Sequence, residues 1–568
     1  MLLCLRLFSQ NTYKLNIIVN ETQKTVLKKY SFKKEFKDTL LRKEVLNDFL
    51  YTLWKDGYMA ASFDSIKKDS LDISAYLNTG KKYLWVNLKR GNVENELLQE
   101  AGYKEKTFTG KPVDYRNVVK LNEKILGYCE DNGFPFASVK LDSIALSDSS
   151  LSASLYLSKN GKVIIDSVTM RGKAKLSGVY LQNYLGIKSG DLYDESKVSA
   201  ISGKIKELQF LKEIRPFNVI FNQSKAKVVI YADKKKNSRF DGVLGVMPDN
   251  QVTGKLMLTG EANLSLINSF YRGEMIDISW NKLQQNTQYL KISFVYPYLL
   301  NTPLGADIKF KLYKNDTLYL NMERNIGVRY FFTGNNYIKA FVENHTSSLI
   351  STSAYKYATV LPAYSDVNST MYGLEYKMQR LDYILNPRKG IDILMTGSAG
   401  KKHIKKNSDL DEKLYEGIKL NSVQYKLGGV LSFYIPVFAK GAIRLGMNGA
   451  ILQNDNIFEN ELFRIGGAKT LRGFDEESLL ASSYDIATVE YRFLFEQNSY
   501  LCVFWNGAYY ESRTVNKFIH DTPYGFGIGV SFETKAGILS LNYALGKQFD
   551  NPVYFKQAKI HIGIINYF

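Results

Sequence analysis

The chain has 568 residues, 45% of them apolar, and a formal net charge of +19, enough length for several domains with their own cores. Its lysines and acids are interleaved, with no long basic run and no RNA-type aromatic signature, so no nucleic-acid partner is expected. Cys4, Cys129 and Cys502 are far apart and His345, His403, His520 and His561 sit singly, which argues against a CxxC pair, a disulfide framework or an HExxH site. Neither a metal nor any other cofactor is expected. No apolar run reaches the ~18 residues of a membrane helix. A membrane barrel stays open, because its strands need an apolar side chain only at every second position.

In chain order, residues 1–11 ("MLLCLRLFSQN") read as the apolar end of a signal peptide without its basic front. Leu3 before Cys4 does not suit a lipid-anchor cysteine. Leu46, Phe49, Leu50 and Leu53 recur at helical spacing before Gly57, and the strand-like runs "YMAASFDSI" and "LDISAYL" follow. Val118, Leu121, Ile125 and Cys129 repeat the stripe before Gly133, followed by "FPFASVKLDSIAL" and "LSASLYLS". "GYMAAS" and "GFPFAS" share Gly-aromatic-x-x-Ala-Ser, the mark of tandem modules. A third module runs from "KVIIDSVTMRG" to "KAKVVIYADKKK", with Gly172, the "SGD" at Ser189 to Asp191, and "LQFLKEI" between. The expected units are 12–80, 81–160 and 161–236, each reading strand, helix, helix, strand, strand.

From about Phe240 the period becomes two, and 237–568 is predicted to be all-β. In "YDIATVEYRFLFE", Ala487, Val489, Tyr491, Phe493 and Phe495 take one face, while Thr488, Glu490, Arg492 and Glu496 take the other. "PYGFGIGVSFE" sets Phe526, Ile528, Val530 and Phe532 against Gly525, Gly527 and Gly529. One greasy face and one small or polar face suit lipid outside and water inside. About sixteen such segments predict a transmembrane barrel of that many antiparallel strands. It must close, because lipid offers no partner to an open backbone edge. The chain ends on Ile560, Ile562, Ile564 and Phe568 in alternation, which resembles the C-terminal signal strand of bacterial outer-membrane barrels.

The strand–helix–helix–strand–strand units resemble POTRA domains. Together with the barrel and the loop "IGGAKTLRGFDEES", they resemble the BamA/TamA superfamily of outer-membrane assembly factors, the bacterial surface antigen D15-like proteins. That resemblance implies that Leu471, Arg472, Gly473 and Phe474, preceded by Gly466 and Gly467, form the loop between the eleventh and twelfth strands that folds back into the lumen. It also identifies "NPRKG", with Pro387, Arg388 and Gly390, as a turn between two middle strands. An arginine inside a barrel needs acceptors for its five donors. Glu490 is the leading partner, so that loss of Arg472 would leave a carboxylate unpaired. The following strand offers Asn506 where the family usually carries aspartate, which weakens the expected pairing.

The resemblance further implies an outer-membrane location with the POTRA units in the periplasm. The expected partners are unfolded outer-membrane protein clients, the lipid bilayer, and accessory periplasmic or lipoprotein subunits. The expected activity is assembly and insertion of outer-membrane proteins, by a TamA-like or BamA-like factor without a catalytic residue. The glycine-rich inner faces are expected to leave a loosely packed, openable seam. A two-partner-secretion pore that translocates polypeptide is the alternative; three units rather than two, and no separate plug helix, weigh against it. An enzyme is disfavoured because no G-x-S-x-G elbow occurs, and "GFGIG" sits mid-strand with no helix after it.

Overall fold

The computed structural model describes residues 13–36, 39–69, 72–248, 256–284, 287–332, 335–352, 355, 358–534 and 537–565. The 1–11 segment, Cys4, Phe568 and the side chain of Ile564 lie outside the described residues. The chain divides into two compact units, one made of 1–166, 189–199 and 220–227, the other of 167–188, 200–219 and 228–568.

In the first unit, a four-stranded sheet runs Glu35–Phe36, Tyr13–Val19, Asp72–Asn78, Ser62–Lys68. Leu46, Phe49 and Leu53 of the helix Thr39–Lys55 bury against Leu15 and Ala75 of that sheet, the face the periodicity selected. A three-stranded sheet follows in the order Leu84–Lys89, Ser150–Ser158, Ser138–Ser147. Val118, Leu121, Ile125 and Cys129 of the helix Tyr115–Asp131 bury with its Trp85 and Leu155.

The repeated hexapeptide turns out to be a helix stop. Gly57 (φ 94°) and Gly133 (φ 93°) take left-handed backbone, and the next residue donates back across the last turn, Tyr58 to Leu53 O (3.0 Å) and Phe134 to Cys129 O (2.9 Å). Ala61 and Ala137 then close a tight turn onto Tyr58 O and Phe134 O. The strands therefore begin at Ser62 and Ser138, four residues later than "YMAASFDSI" and "FPFASVKLDSIAL" suggest. The aromatic residue serves the turn rather than the sheet.

A third sheet has the order Ile164–Arg171, Lys225–Lys234, Leu211–Asn222. In the second unit, Ser177 caps the helix Gly178–Leu185 by accepting from Tyr180 N (3.1 Å). Tyr180 packs edge-on to Tyr298, and a Cβ on Gly273 would collide with its ring. Asn183 donates to Asn301 (2.8 Å), and Ser177 N to Tyr271 O (2.7 Å), so this helix is seated on two turns of the barrel.

The barrel strands, first to eighth, are Arg239–Pro248, Leu256–Ile267, Met275–Gln284, Thr287–Tyr296, Leu304–Asn315, Tyr319–Phe331, Tyr337–Leu349 and Asp366–Leu381. The ninth to thirteenth are Gly390–Lys405, Asn421–Val437, Gly441–Gln453, Ser483–Glu496 and Ser499–Arg513. The sheet has 17 strands, but Phe518–Asp521 and Tyr524–Thr534 both pair with the thirteenth strand and together make the fourteenth. With Gly537–Lys547 and Lys559–Ile565 the described residues make sixteen staves, each antiparallel to the next. Cα atoms of the first and sixteenth strands come within 8 Å, yet no ladder joins them among the described residues.

The alternation falls as lipid outside requires. Ile528, Ile560 and Ile562 are 61%, 63% and 68% exposed, while Glu490, Asn506 and His561 on the opposite parity are buried. Turns at the end where the chain enters are short, and the long turns all lie at the far end, the longest being 454–482 between the eleventh and twelfth strands.

Candidate functional site: the loop returning into the lumen

The 454–482 loop starts at the far rim and folds inward as a small structure of its own. Phe463–Ile465 pairs with Leu479–Ala481, and Ile465, Leu471, Phe474, Leu479 and Ala481 make a core with Ile486 and Tyr510 of the wall. Gly466 (φ 111°), Gly467 (φ 94°) and Gly473 (φ 98°) supply backbone that other residues rarely adopt. Thr470 Oγ1 clasps the turn, accepting from Gly466 N at 2.9 Å and donating to Gly466 O at 2.8 Å.

Arg472 sits at the tip. Its Nη1 donates to Glu490 (2.7 Å), its Nε to Asn506 Oδ1 (2.9 Å), and its guanidinium lies 3.5 Å from the centre of the Phe504 ring. Asn506 therefore does supply an acceptor, and its Nδ2 is fixed by donating to Thr488 Oγ1 (2.7 Å). The uncharged amide makes a neutral hydrogen bond where a carboxylate would make an ionic one.

Glu490 holds a second cation. Arg492 Nε donates to its other oxygen (2.6 Å), so removing Arg472 does not leave the carboxylate unpaired, contrary to the simple expectation. Arg492 Nη1 in turn donates to Asn386 Oδ1 (3.0 Å), and Asn386 Nδ2 to Gln497 O (3.0 Å). The "LRGF" loop and the "NPRKG" turn are thus two ends of one buried chain, Arg472–Glu490–Arg492–Asn386. Within that turn, Asp382 Oδ1 accepts from the amides of Arg388 (3.0 Å) and Lys389 (3.1 Å), and Arg388 Nη2 reaches Phe438 O (3.3 Å). Pro387 lies between these contacts, and Gly390 (φ 127°) starts the ninth strand.

Several contacts of the loop are not visible in the sequence. A Cβ on Gly525 would collide with the Arg472 carbonyl, and one on Gly546 with Gly473 O. These inner-face glycines are cleared for the loop backbone, so at these two positions the wall is tightly packed rather than loose. Period-two glycine was the visible signal; its cause was not. Asp475 pairs with Lys559 of the last strand (2.7 Å), and Glu476 lies 3.8 Å from His561. The loop's other flank binds the opposite wall through Glu461 to Lys402 (2.6 Å), Asn460 to Ser347 (2.6 Å) and Arg464 to Tyr319 (2.6 Å). Ile560 and Ile562 stand on the outer face of the last strand. Among the described residues no cluster of His, Cys, Asp and Glu could hold a metal, and Cys129 and Cys502 are free and buried.

Comparison with known proteins places this arrangement. CdiB from Escherichia coli is similar at 11% identity and a TM-score of 0.53, covering 93% of this chain and 97% of that one. CdiB from Acinetobacter baumannii is similar at 12% identity and a TM-score of 0.50, covering 86% and 90%. BamA from Haemophilus ducreyi lacking POTRA domains 1–3 aligns at 14% identity and a TM-score of 0.44, over 85% and 100%. Among curated protein sequences none matches. At these identities the likeness to CdiB is one of fold. The Omp85 superfamily domain matches residues 268–565, more than half of the chain. The chain belongs to the Omp85 superfamily, outer-membrane barrels with periplasmic POTRA units that insert or translocate polypeptides.

Proposed function

We propose that this protein inserts outer-membrane proteins, in the manner of a BamA-like or TamA-like assembly factor, and does so without a catalytic side chain. Clients add as strands to the exposed sheet edges of the N-terminal modules, where main-chain hydrogen bonds give affinity with little sequence preference. The strands Ser62–Lys68 and Ser138–Ser147 are such edges. Insertion takes place at the junction of the first and sixteenth barrel strands. The observation that carries the reading is this junction, where among the described residues two edges come within 8 Å without a ladder while every other neighbouring pair is hydrogen-bonded. An unpaired edge in hydrocarbon is costly and accepts a client strand as a partner. The Arg472 loop fills the lumen and fixes the wall on the carboxyl-terminal side of the junction.

The test is a panel of cysteine pairs, one member on 239–248 and one on 559–565, in vesicles that contain a client. Oxidation should stop client insertion and leave the barrel folded, with reduction restoring it. Undiminished insertion through a locked junction would refute lateral insertion. Ion conductance across a planar bilayer without client insertion would favour a translocating pore.

A further inference from the structure

Several cations on the inner wall of the barrel are matched to carboxylates: Arg329 and Lys339 share Asp307, Lys311 binds Glu323 (2.7 Å) and Lys426 binds Glu343 (3.1 Å). On the outer wall, Arg324 of the sixth strand and Lys401 and Lys405 of the ninth lie toward the far end of the barrel. None of the three has a carboxylate within 4.0 Å among the described residues. Asp366, the register partner of Lys405, is engaged elsewhere, accepting from Leu349 N (2.7 Å) and Asn407 Nδ2 (2.6 Å).

The register gives this corner a sharp boundary. Ile326, Val342, Tyr372 and Ala399 are successive partners across four strands and form the last apolar row. Two residues further out, the row reads Arg324, Asn344, Thr370, Lys401, and His403 and Lys405 extend it up the ninth strand. The row is laced sideways: Arg324 Nη1 donates to Asn344 (3.4 Å), Asn344 Nδ2 to Asn368 (3.1 Å), and His403 Nδ1 lies 2.8 Å from Asn421 Oδ1. The eighth and ninth strands have 16 residues each. At ~3.3 Å per residue and a tilt of ~40° they rise about 40 Å, against an apolar band of about 25 Å, so Lys401, His403 and Lys405 at the end of the ninth strand reach headgroup level. It is not a general property of the rim, since the twelfth and thirteenth strands present Asp485 and Glu511 there.

We infer that this outward corner, built on Arg324, Lys401 and Lys405, binds the phosphorylated saccharide headgroup of an outer-leaflet lipid. The cations take the phosphates, the asparagine and histidine side chains face the sugar, and the acyl chains lie along the apolar row beneath. The inference rests on the outer-membrane reading, which puts the far end outside, and it is independent of client insertion.

The experiment uses the full-length protein in nonionic detergent, titrated with bisphosphorylated lipid A and with its dephosphorylated form. The triple variant Arg324→Gln, Lys401→Gln, Lys405→Gln is compared with a control that removes three module lysines, Lys67→Gln, Lys140→Gln, Lys212→Gln. Heat-modifiable gel migration reports barrel folding; if the triple variant fails it, the three single variants take its place. The wild type should prefer the phosphorylated lipid, and the triple variant should bind it more weakly by on the order of tenfold or more at low salt, with the control unchanged. Equal affinity in wild type and triple variant, an equal drop in the control, or full competition by inorganic phosphate at matched phosphate concentration would each overturn the inference. Insertion into phosphatidylcholine vesicles, which lack the lipid, should be unaffected by the triple variant. Failure of insertion in the wild type would count against the proposed function and leave the lipid titration standing.

Discussion

The two sides of the barrel junction are built differently. On the carboxyl-terminal side, one loop touches each of the last five strands: Glu490 on the twelfth, Asn506 on the thirteenth, Gly525 on the fourteenth, Gly546 on the fifteenth and Lys559 on the sixteenth. On the amino-terminal side, among the described residues, no hydrogen bond or ion pair of the loop reaches the first three strands. Those strands rest on their ladders and on local contacts such as Asn263 to Asp241 (2.8 Å). The lesson is that a barrel can brace one edge from within its lumen and leave the opposite edge without such a brace. Such an asymmetry suits a junction that opens by movement of one side.

The strongest way to break the contrast is Arg472→Ala, which removes the brace at its tip. The hydrogen bonds of Arg472 to Glu490 and Asn506 are charge-assisted and worth about 1.5–3 kcal/mol each. The barrel should still fold, because Arg492 continues to neutralise Glu490, and client insertion should fall sharply. Full insertion activity together with an unchanged unfolding midpoint would remove Arg472 from the mechanism. Asn386→Ala should cost about 1.5–3 kcal/mol, the value of a hydrogen bond to a charged group, and should raise proteolysis of the 454–482 loop although it lies at the opposite end of the barrel. Gly525→Val forces the loop off the fourteenth strand at about 1–3 kcal/mol, read as a lower unfolding midpoint. Lys559→Gln removes a partly exposed pair worth about 0–1 kcal/mol and should be nearly silent in stability. Asn263→Ala on the unbraced side sharpens the comparison. It should leave loop proteolysis unchanged, and an effect as large as that of Asn386→Ala would show that both sides feel the loop.

Much of this was legible in the sequence because β structure facing two solvents writes its pattern at every second residue. The sixteen strands and the outward set Val489, Tyr491 and Phe493 follow from that period. The helical stripes of the modules were equally plain, Ile125 and Leu53 being fully buried. What pattern could not show was contact across the lumen. Arg492 and Glu490 are two residues apart on one strand, but the third member of their chain, Asn386, is more than a hundred residues away. Gly525 and Gly546 read as a small inner face, and only the path of the loop shows why they must be small. The shared Gly-aromatic-x-x-Ala-Ser was visible as a repeat, whereas its role as a helix stop depends on hydrogen bonds that letters do not carry.

One consequence follows from where the lumen loop is spliced into the chain. It emerges after the eleventh strand, so it is synthesised after the sixth, seventh and ninth strands that hold one flank and before the last five strands that rest on the other. The final five staves are therefore laid against a mandrel that precedes them in the chain. Cutting the chain at the loop's exposed rim, beside Asp455, would uncouple the loop from the eleventh strand while leaving every residue of the finished wall in place.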